Sequence, residues 1–279
     1  MEQNDTFYHY CSNEAFCAII NSGSIRLSSL SLSNDQAEGK LVSRIFKDLA
    51  REESVEMDDL LGYIKLAEEN CHALGFCLSA EDDLLSQWRG YADNASGVAV
   101  GFSKRYLEKF SDGEDLRWRS THGQFVQVEY DLTRQKELIR PVFEVMKNVA
   151  SRDPLKLFSD FGVSAKEHNN RLDAYNELQA RTMELLPEVF RLKDEGFSEE
   201  REWRVIIQLD ERNMAGYGCN YRVIGNKIIP YKDFPLDYSG IREVVLGPRN
   251  INAESGITSL LESNDILGVT VRKSKIPYC

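Results

Sequence analysis

The sequence lacks the short motifs that identify several common enzyme classes. Its 279 residues contain no G-x-x-x-x-G-K-[ST] phosphate loop, no H-E-x-x-H zinc motif and no G-x-S-x-G nucleophile elbow. Gly216 and Gly218 stand in GYGCNY, which lacks the third glycine and the following helix of a dinucleotide-binding turn. These absences argue against P-loop nucleotide hydrolases, H-E-x-x-H peptidases, α/β-hydrolases and Rossmann dehydrogenases.

Cysteine and histidine, the usual ligands of zinc, are few and scattered. Six cysteines occur, and Cys11 and Cys17 are six positions apart, as are Cys71 and Cys77. Ligand pairs of structural zinc sites are usually closer, about three to five positions apart. The four histidines are spread along the chain. We therefore expect no metal cofactor, and we expect free, mostly buried thiols in a reducing cytosol.

Basic blocks and long apolar runs are also missing. The net charge of −11 disfavours duplex DNA or RNA as the main partner, because proteins that bind them usually carry a basic stripe. A pocket for one nucleotide is compatible with this charge, since it needs only a few local charges. No apolar run approaches the roughly 20 residues that span a bilayer, and the opening MEQNDTFYHY differs from a secretory signal. We expect a cytoplasmic protein with no membrane partner.

The order of apolar patterns predicts the α+β class. Short alternating or continuous apolar segments, typical of strands, occur near both ends of the sequence, and amphipathic helical patterns lie between them. The pattern is helical from about residue 133 to 195, with Pro141, Pro154 and Pro187 interpreted as interruptions. We predict a single domain over 1–279 with this segment as a helical insertion.

The first candidate site residues lie in the opening strand, within FYHYCS. His9 could form a hydrogen bond with a ribose hydroxyl, and the ring of Tyr10 could stack on a base. In the alternative, His9 has a structural role and bonds to a neighbouring backbone group.

A second group follows the buried strand that ends at Ser79, in the helical segment SQWRGY. Gln87 and Tyr91 are four residues apart and would share one helix face. Arg89 could bind a phosphate or carboxylate through its planar guanidinium. In the alternative, Arg89 pairs on the surface with one of the two aspartates just before the helix.

Acidic residues form two further groups. Asn34 and Glu38 follow a serine-rich stretch and fit a turn and a helix start. Glu200 and Glu202 precede the apolar run VIIQL, and in an extended chain their side chains would point to the same side. Two carboxylates at the entrance of a strand can stabilise the oxocarbenium-like transition state of glycosyl transfer. The alternative is a solvated acidic loop.

Together these segments resemble a widespread bacterial domain family of unknown function. The likeness rests on the segments YHY-x-S, ND-x-x-E, S-Q-W-R-x-Y, G-V-A-V-G-F, E-x-E-W-R, V-L-G-P and S-K-I-P-Y, and it runs from Tyr8 to Tyr278. That family is in turn remotely similar to the ADP-ribosyltransferases.

The similarity to ADP-ribosyltransferases implies a split, mostly antiparallel sheet with a nucleotide cleft, and NAD as the substrate. It implies that His9 holds the NAD ribose and that Ser79 or Tyr91 belongs to the second motif of the cleft. Glu202 would steady the positive charge as the nicotinamide bond breaks, and Glu200 would orient the acceptor. The remaining candidates for binding NAD are Tyr10, Gln87, Arg89, Asn34 and Glu38.

We therefore expect an ADP-ribosyltransferase-like enzyme, or an NAD glycohydrolase. Its acceptor would be a protein, a small molecule or single-stranded nucleic acid, and the wider superfamily suggests a toxin or phage-defence role. The alternatives are a module that binds a nucleotide without turnover, and a protein-interaction domain in which the motifs are structural.

Overall fold

The computed structural model describes residues 5–31, 39–69, 71–112, 123–159, 162–209 and 218–278. They belong to two compact units. The sheet unit comprises Met1–Ser29, Ala73–Val128 and Gly196–Cys279, and the helical unit comprises Leu30–His72 and Glu129–Glu195.

The described strands form one open mixed sheet. In chain order they are β1 (Thr6–Cys11), β2 (Ser24–Ser29), β3 (His72–Ser79), β4 (Val98–Ser103), β5 (Gly123–Gln127), β6 (Glu202–Leu209), β7 (Asn220–Ile224), β8 (Lys227–Pro235), β9 (Ile241–Leu246) and β10 (Thr270–Lys273). Their order is β10-β9-β4-β1-β3-β2-β8-β7, and β3 also pairs with β6, which pairs with β5. Along the main path only β9 and β10 run parallel.

The described α-helices are α1 (Asn13–Ser22), α2 (Leu41–Glu52), α3 (Asp58–Glu69), α4 (Leu85–Tyr91), α5 (Lys104–Asp112), α6 (Leu132–Ala150), α7 (Ala165–Val189) and α8 (Glu254–Glu262). Helices α1, α4, α5 and α8 belong to the sheet unit, and the others to the helical unit. The predicted α+β class is confirmed. Helix α5 was not predicted, because it follows β4 directly, without a glycine or proline at the boundary.

Helix α1 illustrates how local sequence sets the bounds of an element. The hydroxyl of Ser12 accepts a hydrogen bond from the backbone N–H of Ala15 at 3.2 Å, which satisfies one of the free N–H groups of the first turn. At the other end Gly23 has a φ of 57°, a left-handed conformation that suits glycine and stops the helix. The chain then reverses directly into β2.

Side chains along β1 alternate between the two faces of the sheet. Phe7 and Cys11 lie in the main core cluster, on the face called face A here. Tyr8 and Tyr10 lie on the opposite face, called face B, in a smaller cluster around the fully buried Trp88. Both faces of β1 are therefore packed, and burial of each large side chain contributes roughly 1.5–3 kcal/mol.

The helical unit packs through apolar faces of its helices. The rings of Phe46 on α2 and Phe143 on α6 meet edge to face, with centroids 5.6 Å apart. The carboxylate of Glu68 on α3 accepts a hydrogen bond at 2.9 Å from the N–H of Ser43, in the first turn of α2. None of the helices in the described part of the chain is long and apolar enough to cross a bilayer.

The interpretation of the prolines as interruptions was wrong at two of three positions. Pro141 lies inside α6 and Pro187 inside α7, whereas Pro154 begins a short 3-10 helix. A proline inside a helix removes one backbone hydrogen bond, and the packing of long amphipathic helices can offset that cost. The interpretation as a single domain with an insertion at about 133–195 stays a prediction. The helical unit contains α2 and α3 as well as the helices of that segment.

Candidate functional site

The imidazole of His9 is packed on face A. Its ring stacks on Phe76 with centroids 4.2 Å apart, and its Nδ1 lies 2.9 Å from the carbonyl oxygen of Cys77. Burial lowers the pKa of His9 below its ordinary value, because the charged imidazolium would lose hydration. These contacts match the structural alternative for His9, in which it bonds to a neighbouring backbone group.

Glu202 points to face B, away from His9. The next residue, Trp203, packs on Phe7 of face A, with ring centroids 4.8 Å apart. Because neighbouring side chains of a strand point to opposite faces, Glu202 at the start of β6 faces the other way. The expectation that His9 and Glu202 meet around one sugar ring is therefore wrong: the sheet lies between them.

The carboxylate of Glu202 is held by Arg204, two residues further along β6. Oε1 accepts a hydrogen bond from Nε of Arg204 at 2.8 Å, and Oε2 accepts one from a terminal guanidinium nitrogen at 2.8 Å. The pair is buried, with 7% of Glu202 and 1% of Arg204 exposed. Both carboxylate oxygens are thus engaged, and the negative charge is compensated within the sheet unit.

Glu200 and Glu202 do not share a side of an extended chain, contrary to the prediction. Glu200 ends a 3-10 helix over Glu195–Glu200, and Arg201 has a φ of 45°, in the left-handed region. The carbonyl of Arg201 accepts a hydrogen bond from the N–H of Ala80 at 3.0 Å. This tie to the end of β3 holds a bend that a sequence pattern cannot reveal.

Two other candidate residues, Ser79 and Tyr91, come together at Glu200. The hydroxyl of Tyr91 donates a hydrogen bond to Oε1 of Glu200 at 3.0 Å, and the hydroxyl of Ser79 donates one to the carbonyl of Glu200 at 2.7 Å. Ser79 and Glu200 are buried, whereas 45% of Tyr91 is exposed. We call Ser79, Tyr91 and Glu200 the Glu200 cluster.

The candidate residues Gln87 and Arg89 of helix α4 differ in their exposure to solvent. Gln87 is buried, and Arg89 is exposed. The alternative pairing of Arg89 with the preceding aspartates is not formed: Asp82 binds Arg272, and Asp83 binds the indole N–H of Trp88. Arg89 therefore lies on the solvent side of α4.

Tyr10 supports the loop before α4. Its hydroxyl donates a hydrogen bond to the carbonyl of Glu81 at 2.8 Å and accepts one from the N–H of Leu84 at 3.1 Å. Burial raises the pKa of Tyr10. The ring meets Trp88 edge to face at 4.7 Å, so it is occupied by the protein core and is not free to stack on a base.

Three residues of the site region were not predicted. Arg204 binds Glu202, Asp83 binds Trp88, and Arg201 forms an ion pair with Glu81. The sequence offered one signal for Arg204: it is a charged residue within the pattern of a strand, two positions after Glu202. Asn34 and Glu38 lie outside the described residues. Within the described ranges no group of histidine, cysteine and acidic residues could hold a metal ion.

A family model described as "Protein of unknown function (DUF2971)" matches residues 87–205. The matched segment begins in α4 and ends in β6, so it includes Tyr91, Glu200 and Glu202. The match agrees with the resemblance to an uncharacterised domain family and covers less than half of the chain. No curated protein and no solved structure matches the chain.

Proposed function

We propose that the sheet unit is a nucleotide-binding module of the NAD class, and that the Glu200 cluster is its ligand site. The observation that carries this proposal is the hydrogen bond from Tyr91 to Glu200. It joins a half-exposed aromatic ring to a carboxylate, and these two groups suit the two parts of a nucleoside. An exposed ring can stack on a base, and a carboxylate can accept hydrogen bonds from ribose hydroxyls.

Binding without turnover is favoured over cleavage by the state of Glu202. A carboxylate that stabilises an oxocarbenium ion must face the sugar, with its oxygens directed at the developing positive charge and not at another partner. Both oxygens of Glu202 bind Arg204 instead, and His9 lies on the opposite face of the sheet. The proposed module would therefore hold a nucleotide and leave its glycosidic bond intact.

NAD cleavage by an ADP-ribosyltransferase-like enzyme is the second candidate. It is supported by the branch at β3, which pairs with β2 at Gly75 and Leu74 and also with β6, as a split sheet would require. In this case Arg204 would have to release Glu202 when NAD binds. The acceptor and any toxin or phage-defence role would follow from that activity.

Titration of the whole chain with NAD separates these candidates. We expect wild-type protein to bind NAD in calorimetry, and Glu200→Gln to bind at least about tenfold more weakly, because a charge-assisted hydrogen bond to ribose is lost. Tyr91→Ala should weaken binding by a similar factor through loss of stacking. Glu199→Gln is the matched control, since Glu199 is an exposed carboxylate in the same 3-10 helix.

Chromatography of the same samples measures free nicotinamide. Binding without nicotinamide release supports the proposed module. Release that Glu202→Gln abolishes, in a protein that remains folded, supports the enzyme instead. Absence of NAD binding by the wild type, or equal binding by Glu200→Gln and Glu199→Gln, would contradict the assignment of the site.

A further inference from the structure

A short segment after β10 reaches the beginning of α4. We call Ser274–Tyr278 the strap. The hydroxyl of Ser274 donates a hydrogen bond to Oδ1 of Asp83 at 2.6 Å, and the N–H of Lys275 donates one to Oδ2 of Asp83 at 2.7 Å. Asp83 stands two residues before the first residue of α4.

The same carboxylate binds the helix itself. Oδ1 of Asp83 accepts a third hydrogen bond, at 2.7 Å, from the indole N–H of Trp88, whose side chain is fully buried on face B. One carboxylate therefore receives two donors from the strap and one from α4. Such charge-assisted hydrogen bonds are among the stronger ones in proteins.

The strap also holds the turn that follows α4. The hydroxyl of Tyr278 donates a hydrogen bond to Oδ1 of Asn94 at 3.1 Å. Asn94 is the middle of three successive residues with positive φ, at 48°, 48° and 71° for Asp93, Asn94 and Ala95. Non-glycine residues rarely adopt this conformation, and it persists where surrounding contacts enforce it.

Helix α4 has little stability of its own. It has seven residues, and no side chain caps its first turn. Isolated helices shorter than about 12–15 residues are marginal in water, so α4 depends on tertiary contacts. Ile276 and Tyr278 of the strap supply such contacts, because both pack against the cluster around Trp88.

We propose that the strap is a positioning element for the candidate nucleotide site. It holds Asp83 before α4 and Asn94 after it, and thereby fixes Tyr91 of α4 against Glu200. The consequence for ligand binding rests on the proposed function, whereas the hold on α4 does not. Asp83 and Tyr278 are positioning residues in this arrangement, because they act on the site through α4.

Hydrogen exchange of the free protein tests the hold on α4. The variants are Asp83→Asn, Tyr278→Phe and the double variant, and the control is Asp82→Asn, whose carboxylate binds Arg272 and not the strap. In the double variant we expect the amides of α4 to exchange at least about tenfold faster, because local opening becomes easier. Exchange in β4 should stay as in the wild type, and the control should leave α4 unchanged.

NAD titration of the same proteins tests the consequence for the site. We expect the double variant to bind NAD at least about threefold more weakly than the wild type, because a smaller fraction of molecules is competent to bind. Wild-type exchange of α4 in a folded double variant would overturn the proposal. So would faster exchange of α4 with unchanged NAD affinity.

Failure of the proposed function has a different signature. If the wild type binds no NAD while α4 exchanges faster in the double variant, the ligand assignment is wrong and the hold of the strap on α4 is upheld. If the double variant does not fold, Ser274→Ala removes one of the strap's bonds to Asp83, and the same exchange measurement then decides the matter.

Discussion

Removal of the Glu202 carboxylate should destabilise the folded protein, whether or not Glu202 takes part in chemistry. In Glu202→Ala the guanidinium of Arg204 loses the carboxylate that accepts two of its hydrogen bonds. Only 1% of Arg204 is exposed to solvent. Removing one member of a buried ion pair typically costs about 3–5 kcal/mol, because the remaining charge stays buried. We expect the free energy of unfolding to fall by this amount.

Arg204→Ala should cost a similar amount, because it leaves Glu202 buried without its guanidinium. The double variant Glu202→Leu/Arg204→Met replaces the pair by apolar side chains and should lie within about 1–2 kcal/mol of the wild type. Its effect should therefore be far smaller than the sum of the two single losses, which is the mark of a strong pairwise interaction.

Urea denaturation followed by circular dichroism measures these differences. Glu199→Ala is the matched control, since a substitution of an exposed carboxylate away from such a pair should stay within about 0.5 kcal/mol. A strong buried pair is contradicted if Glu202→Ala lies within about 1 kcal/mol of the wild type, or if the single losses simply add in the double variant. A loss of activity in Glu202→Ala is evidence for a catalytic role only where the loss of stability does not account for it.

Two further predictions concern pH. Burial raises the pKa of Glu68, so its contribution to stability is present below its unfolded pKa of about 4.3 and is lost as the pH rises through the folded value. Urea denaturation should show the wild type losing stability relative to Glu68→Gln between about pH 4 and pH 7, and a constant difference would contradict this. Burial lowers the pKa of His9, so its contribution is present above its unfolded pKa of about 6.5 and is lost as the pH falls. The wild type should lose stability relative to His9→Phe between about pH 7.5 and pH 5, as measured by thermal unfolding at both pH values. An absent or reversed trend would contradict this.

The α+β class and most elements could be predicted from local patterns. Apolar alternation and turn residues act over a few neighbouring positions, as the contacts of Ser12 and Gly23 at the two ends of α1 show. The same reasoning failed at Pro141 and Pro187, because packing of the helices in which they lie outweighs the local preference.

The candidate site was predicted in part. Ser79, Tyr91 and Glu200 were recognised as candidates, and the structure brings them together. His9 and Glu202 were also recognised, but the sequence spacing contains no information on which face of a sheet each strand presents. That choice depends on the register and twist with which β1, β3 and β6 pair.

Local patterns in the sequence were enough to predict the types and approximate bounds of the elements and the residues capable of site chemistry. Tertiary packing selected which of those residues meet. It did so through contacts distant in sequence, such as Asp83 with Ser274 and Tyr91 with Glu200, and through the left-handed bend at Arg201. Such contacts depend on the packing of whole strands and helices, which no local pattern encodes.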